Sequence, residues 1–491
     1  MHVYNSNGRD EVYASIVKMI GVVRGSRELE SVSELLMGLL VLKYVTDDYL
    51  ARCSEQDDAQ LIRYLVPDEA NFYRLRDLAR EPGNAYRIND AIHKLQSIRE
   101  NAPLGLMFQC VEFNSPRLGS EGVKNRLLGD LLNVVSGFDL RGGCSEWEGA
   151  YPAIVADAIL RYMMEQSGKR GGEHFTPPGL SRLIASLMRP VNGEKVYDPF
   201  CGSGLMMAHC SEYARNGQID GGCELFGQEV NGSISSLAQM SLFLRGESFR
   251  IAWGNTLERP ETFGNGYSLP QFDIVVSHPP FMLKDWGGDD AQHDGYQRYW
   301  RGLPPRNSGD FACISHMVES VKPISGRMAV VVSQGVLFRG GAEGVIRESF
   351  IKENILDAVI SLPVKMLSNT SIPIAILVFR KARADEDVLF IDASQSYRSE
   401  KATNVLCEED LEKIESVYHR RLVCDGYSKL VNVTELAAND FNLSVARYVQ
   451  SRHLEEHLDL PKIREERAAL SAELYELEAR LENLLKETGR Y

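Results

Sequence analysis

Seven short apolar or β-branched runs, KVYDPF, ELFGQEV, FRIAWGN, FDIVVSH, RMAVVVSQG, LDAVISL and IAILVFRK, fall between Lys195 and Lys381. Helical stretches separate most of them. Alternating strand and helix predicts an α/β fold with a mostly parallel sheet covered on both faces. Ligands of such sheets bind beyond the carboxyl ends of the strands. The segments that follow each run are therefore where chemistry is expected.

The pattern differs on either side. Ser33–Leu50, SELLMGLLVLKYVTDDYL, spaces its apolar residues as a buried helix does. Phe72–Leu78 and Ala91–Ile98 are shorter, more polar and also helical in spacing, and strand signals are few before about Lys195. Beyond Pro461, the residues Ile463, Leu470, Leu474, Leu477, Leu481 and Leu484 recur in three- and four-residue steps, with Arg467 interrupting the series. Pro461 suits the first turn of a helix. A seam of this length leaves an apolar stripe uncovered unless another helix packs on it. It either packs on the chain's own body or docks a partner. These changes divide the chain into a helical region 1–150, an α/β region 151–400, and a helical region with a coiled-coil-like tail 401–491.

A chain of 491 residues is too long for one compact core. Its formal net charge of -14 argues against tight, autonomous DNA binding. A local basic groove or a partner carrying the phosphate contacts stays compatible with it. Nine scattered cysteines without a C-x-x-C pair fit a reduced cytoplasmic protein, with neither a disulfide framework nor a metal site. Met1–Asp10 is polar, unlike a signal peptide, and no apolar run reaches the roughly 18 residues of a membrane span.

The strongest motif is Asp198-Pro199-Phe200-Cys201-Gly202-Ser203-Gly204, placed between a predicted strand and a helix. Gly202 and Gly204 allow close approach to the backbone, Ser203 lies between them, and the helix start offers free N–H groups. Asp198 can hold a cationic amino group. A carboxylate beside glycines suits a zwitterion such as S-adenosylmethionine better than a pyrophosphate. A plain strand-to-helix turn is the competing explanation. Glu229, in GQEVN, ends the next strand, where an acid commonly binds ribose hydroxyls; a surface acid or cap is the alternative. Asn255 and Thr256 end the third strand, and Asn255 either contacts a base edge or caps a helix. His278-Pro279-Pro280-Phe281 follows the fourth. The prolines fix the chain's direction, the Pro279 carbonyl can serve as an acceptor, and Phe281 can stack on a flipped base.

With these motifs the chain resembles the modification subunits of type I restriction–modification systems over nearly its whole length. GLLVLKYVTDDYL (Gly38–Leu50) is similar to that family's N-terminal helical domain. Gly172-Glu173-His174-Phe175-Thr176-Pro177 is similar to the segment covering the methionine end of the cofactor. DPFCGSG matches its cofactor loop and GQEVN its ribose acid. HPPF stands at its Asn-Pro-Pro-Phe catalytic position. Ser333–Pro363 and Phe441–Val449 are also similar to family stretches. The resemblance implies a Rossmann-like methyltransferase that moves a methyl group from S-adenosylmethionine to the exocyclic amine of adenine in DNA. It implies Glu173, Phe175, Thr176, Pro177, Asp198, Gly202, Ser203, Gly204, Glu229, Asn255 and Thr256 at the cofactor, and His278, Pro279, Pro280 and Phe281 at the chemistry. The implied partners are DNA, a separate specificity subunit, a second copy of the chain and, as a further candidate, a restriction subunit.

Two positions depart from the family. His278 replaces its asparagine, and Asn255 replaces its usual aspartate. A neutral imidazole keeps one acceptor nitrogen and a protonated one keeps none. Either His278 works in its neutral form, with activity falling as pH drops through its pKa, or the chain is a cofactor- and DNA-binding scaffold, through natural loss or through an introduced change. Cytosine N4 is an alternative target amine. A glutamine methyltransferase also uses such a motif, but Phe281 and the long helical region fit DNA better. The stretch Met282–Gly326 leaves no room for a large target-recognition domain. Its Trp286, Tyr296, Arg298, Tyr299, Trp300 and Arg301 suit either contact with an extruded base or backbone, or a partly buried loop with solvated arginines.

Overall fold

The protein's structure, a computed structural model, describes residues 13–14, 16–17, 29–54, 63–138, 140, 151–166, 175–216, 218, 221–264, 266–367, 370–400, 403–450 and 460–487. The helices of more than one turn are α1 (Leu29–Ser54), α2 (Phe72–Asp77), α3 (Asn84–Ser97), α4 (Glu121–Ser136), α5 (Tyr151–Gln166), α6 (Pro178–Met188), α7 (Leu205–Arg215), α8 (Gly232–Leu244), α9 (Asp310–Glu319), α10 (Ala342–Lys352), α11 (Glu408–Arg420), α12 (Val433–Ala438) and α13 (Leu460–Glu487). The strands are β1 (Lys195–Asp198), β2 (Glu224–Glu229), β3 (Ser248–Trp253), β4 (Ile274–Ser277), β5 (Arg327–Ser333), β6 (Leu356–Ser361), β7 (Ile374–Arg380), β8 (Val388–Asp392), β9 (Arg398–Ser399), β10 (Asn404–Val405) and β11 (Ser428–Val431).

Nine strands form one sheet in the order β11-β8-β6-β7-β5-β4-β1-β2-β3. β1 to β5 run parallel, β7 lies antiparallel between β5 and β6, and β11 is antiparallel to β8. Successive residues of a strand point to opposite faces. Val196, Leu225 and Val276 accordingly pack with Leu183 of α6 and Met207 of α7. Their neighbours Tyr197, Phe226 and Val275 pack on the other face with Phe311 of α9 and Phe350 of α10. The seven expected strands are β1 to β7. β8 and β11 extend the sheet beyond them.

α1 is apolar nearly all round because it lies inside a helical core. Leu36, Leu39 and Leu40 are buried there with residues of α4 and α5, and with Leu237, Met240 and Phe243 of α8. This core joins the N-terminal helices to the edge of the sheet carrying β3. Lys43, buried in this core, pairs with Asp47, which also accepts from the Tyr73 hydroxyl at 2.6 Å. A buried charge is tolerable only with such partners.

Residues 1–449 form one compact unit and 450–491 a second. The second contains α13, on which Leu470, Leu474, Leu477 and Leu481 are 56–65% exposed. The side chains of Ile463 and Leu484 fall outside the described residues. No helix among the described residues is long and apolar enough to cross a membrane.

Candidate active site

Three neighbouring strands set the site: β1 ends on Asp198, β2 on Glu229 and β4 on Ser277. Their parallel register brings the three ends to one edge of the sheet. Asp198 is buried, and its Oδ1 accepts from the Phe200 N–H at 3.0 Å and the Ser277 hydroxyl at 2.6 Å. Burial pushes the Asp198 carboxyl up to about 7, against the pull of those hydrogen bonds and with the Glu229 charge adding to the rise.

The chain after Asp198 turns through left-handed backbone, with φ of 51° at Gly202 and 77° at Gly204. Residues with a Cβ rarely adopt that region. At Gly204 a Cβ would also meet Leu242 Cδ1 at 3.3 Å. The turn is pinned from the next strand: the Gly202 N–H donates to Glu229 Oε2 at 3.0 Å, and the Asn231 N–H donates to Glu229 Oε1 at 2.8 Å. The Thr256 hydroxyl donates to the Pro199 carbonyl at 2.6 Å, tying the segment after β3 to the same turn. Asn255 accepts the Leu257 N–H at 3.1 Å, closing a turn; no helix begins there for it to cap.

His278 follows β4 and is 8% exposed. Its Nδ1 lies 3.2 Å from the Thr176 hydroxyl oxygen. Burial holds the imidazole down to about 4. Its ring centroid lies 5.2 Å from that of Phe281, tilted by 53°. Pro279 is buried, and Pro280 and Phe281 are half-buried. Thr176, Asp198, Gly202, Ser203 and His278 line one cleft together with Phe200 and Met206, about 270 Å³ with its open mouth included.

The other expected site residues lie around this cleft. Phe175 is buried in the helical core with α1. Pro177 precedes α6, its carbonyl accepting the Ser181 N–H at 3.0 Å. Glu173 lies outside the described residues. Ser277 was not singled out by sequence, since a serine ending a strand carries no signal until its partner Asp198 is known.

The loop after Phe281 differs from both sequence readings. Arg298 and Arg301 are neither solvated nor directed at the cleft; they are 3% and 7% exposed. Arg298 pairs with Asp294 and donates to the carbonyls of Thr256 at 3.2 Å and Leu257 at 2.8 Å. Arg301 pairs with Glu319 and Glu353. Nearer the catalytic motif, the Met282 N–H donates to Asp310 at 2.8 Å, and Asp310 pairs with Arg339. The four-residue spacing of Asp294 and Arg298 was the available signal for an inward arginine.

A family model described as N-6 DNA Methylase matches residues 154–457. The chain is 28% identical over 468 residues to the type I restriction enzyme MjaVII methylase subunit of Methanocaldococcus jannaschii, covering 88% of this chain and 77% of that one. It is 28% identical over 443 residues to the MpnII methylase subunit of Mycoplasma pneumoniae, covering 85% and 80%. The crystal structure of the type I restriction–modification system methyltransferase subunit from Streptococcus thermophilus superposes with a TM-score of 0.79 at 25% identity, over 90% of this chain and 99% of that one.

Proposed function

The chain belongs to the N-6 DNA methylase family, and we propose that it is the methylating subunit of a type I restriction–modification assembly, acting in the cytoplasm on the exocyclic amine of adenine in DNA with S-adenosylmethionine as methyl donor. The observation that carries this reading is the single cleft joining His278 of the HPPF motif to Asp198 and the glycine turn.

The donor set fits that cofactor. Asp198 is a buried acid poised to ionise when a cation arrives, as an ammonium group would. The turn at Gly202, Ser203 and Gly204 lets a ligand approach the backbone. Glu229 uses each oxygen once, and a carboxylate offers about four acceptor sites, so capacity remains for ribose hydroxyls. Asn255 and Thr256 stand on the adenine side. Phe175, Thr176 and Pro177 are assigned to the methionine side.

S-adenosylmethionine, held at Asp198, the glycine turn and Glu229, would supply an electrophilic methyl group for the adenine amine. The chain's own work is positioning and electrostatics. His278 is neutral at ordinary pH and keeps one acceptor nitrogen for an amine hydrogen. The Pro279 carbonyl accepts the second hydrogen. Pro280 stiffens the loop, and Phe281 offers a face to the extruded base.

A separate specificity subunit reads the DNA sequence, and two copies of this chain flank it, with a restriction subunit as a further partner. The net charge of -14 agrees with a division in which other subunits carry much of the phosphate binding. The leucine stripe of α13 and the helical region 1–150 are the candidate contact surfaces. A chain ending before Pro461 should fail to assemble fully with the specificity subunit, as read by size-exclusion chromatography.

The test is tritiated methyl transfer to unmethylated DNA by the full chain with its co-encoded specificity subunit, beside His278→Asn. Incorporation by the unaltered chain supports the reading. Incorporation only by the variant makes the chain a cofactor- and DNA-binding scaffold. Incorporation by neither overturns the assignment.

A further inference from the structure

The ring of His278 makes one hydrogen bond, through Nδ1 to the Thr176 hydroxyl. Its other nitrogen, Nε2, has no partner among the described residues, and it is not sealed from solvent, because the ring lines the cleft. A threonine hydroxyl both donates and accepts, so the pair has two arrangements. If the hydroxyl donates to Nδ1, the ring's only proton sits on Nε2. No acceptor then remains for an amine hydrogen. If Nδ1–H donates to the hydroxyl oxygen, Nε2 keeps its lone pair and faces the cleft. The bond made by one ring nitrogen decides the state of the other.

We infer that Thr176 is a positioning residue that accepts the Nδ1–H of His278 and so holds the ring in the tautomer whose Nε2 accepts a hydrogen from the target amine. This rests on the methyl-transfer reading of the site. Thr176 is well placed to hold a ring. Pro177, at φ -53°, and Pro178 at the first position of α6 restrict the backbone that carries it. Thr176 and His278 are 102 residues apart in sequence, so the contact is a product of the fold. An asparagine at position 278 would need no such device, because its amide oxygen accepts without a choice of tautomer. The two residues should therefore be coupled in function.

The experiment has two arms on the full chain. The first is ring ¹⁵N spectroscopy of the cofactor-free protein, with the His278 signals assigned through His278→Asn. Protonated Nδ1 with unprotonated Nε2 is expected. Thr176→Val should move the ring toward the opposite tautomer, and Thr176→Ser should restore it. Protonated Nε2 in the unaltered chain overturns the proposal. The second arm is a double-mutant cycle on methyl transfer with the specificity subunit present. Thr176→Val should lower kcat roughly tenfold in the histidine background and less than about threefold in the His278→Asn background, with any change in KM for S-adenosylmethionine equal in the two. Equal losses of kcat in both backgrounds overturn it by making Thr176 a general structural or cofactor contact. Absence of methyl transfer in every form defeats the functional reading, while the spectroscopic arm still decides the tautomer.

Discussion

The turn 198–204 and the loop 282–309 both follow a strand at the same edge of the sheet, and both carry polar groups that a sequence reading aims at a ligand. The fold uses them in opposite ways. In the turn, Asp198, Gly202 and Ser203 line a cleft, and bonds to the neighbouring strands hold them there. In the loop, Arg298 and Arg301 are drawn inward to carboxylates, and Arg298 also to the carbonyls of Thr256 and Leu257, while Arg306 stays exposed. A guanidinium offers five donors in a fixed fork. Wherever the fold leaves carbonyls and acids unpaired nearby, an arginine is drawn to them before any ligand arrives. The difference shows that a polar residue near an active site is a ligand group only where bonding capacity remains after the protein's own hydrogen bonds are made.

That contrast can be broken most sharply at Arg298. Arg298→Ala leaves Asp294 and two backbone carbonyls without their partner, and stability should fall by ~3–5 kcal/mol in denaturant unfolding. Unchanged stability with weakened DNA binding would mean that the loop faces the nucleic acid after all. The next largest effect concerns acid. His278 titrates near its ordinary value when unfolded and at about 4 when folded. The unfolded chain therefore binds the proton first, and folding stability should decline as pH falls from about 6.5 to about 4, by up to ~3 kcal/mol from this group. His278→Asn should remove that share of the loss in pH-dependent melting. At saturating S-adenosylmethionine, turnover by the histidine form should stay flat above about pH 5, because the ring is already neutral there.

On the cleft side of the comparison, Asp198→Asn should weaken S-adenosylmethionine binding on the order of a hundredfold, ~2.7 kcal/mol by calorimetry, with the fold intact. Binding that survives the change would show that the turn alone holds the ligand. The smallest effect belongs to Gly204. Gly204→Ala forces a Cβ into left-handed backbone beside Leu242 and should cost about 1–2 kcal/mol of stability. A stabilised variant would mean that the turn relaxes without its glycine.

The sheet was legible where strands read as apolar runs bounded by turn residues. β8 escaped because VLFID follows the charged stretch RADED, and β11 because SKLV is short and mixed. The direction of β7 was not legible, since a buried strand has the same pattern whichever way it runs. At the site, Asp198, Gly202 and Gly204 stood out because few residues meet those backbone and charge demands. The partnership of Thr176 with His278 did not. Neither residue signals it alone, and only the fold, which brings the segment before α6 to the end of β4, creates it. Asn255 was left open between base contact and helix cap; its bond to the Leu257 N–H closes a turn with no helix after it, and leaves the amide donors for another partner.

The elevated carboxyl of Asp198 makes occupancy of the cleft an exchange of one positive charge for another. Burial shifts that carboxyl toward neutrality, so empty molecules can carry its proton, and a ligand ammonium settling against the carboxylate must expel it. The heat of binding should then vary with the ionisation enthalpy of the buffer, and apparent affinity should climb with pH before levelling above about 7. Loading of the methyl donor would thus be metered by the acidity of the surrounding fluid, independently of anything that happens at the DNA.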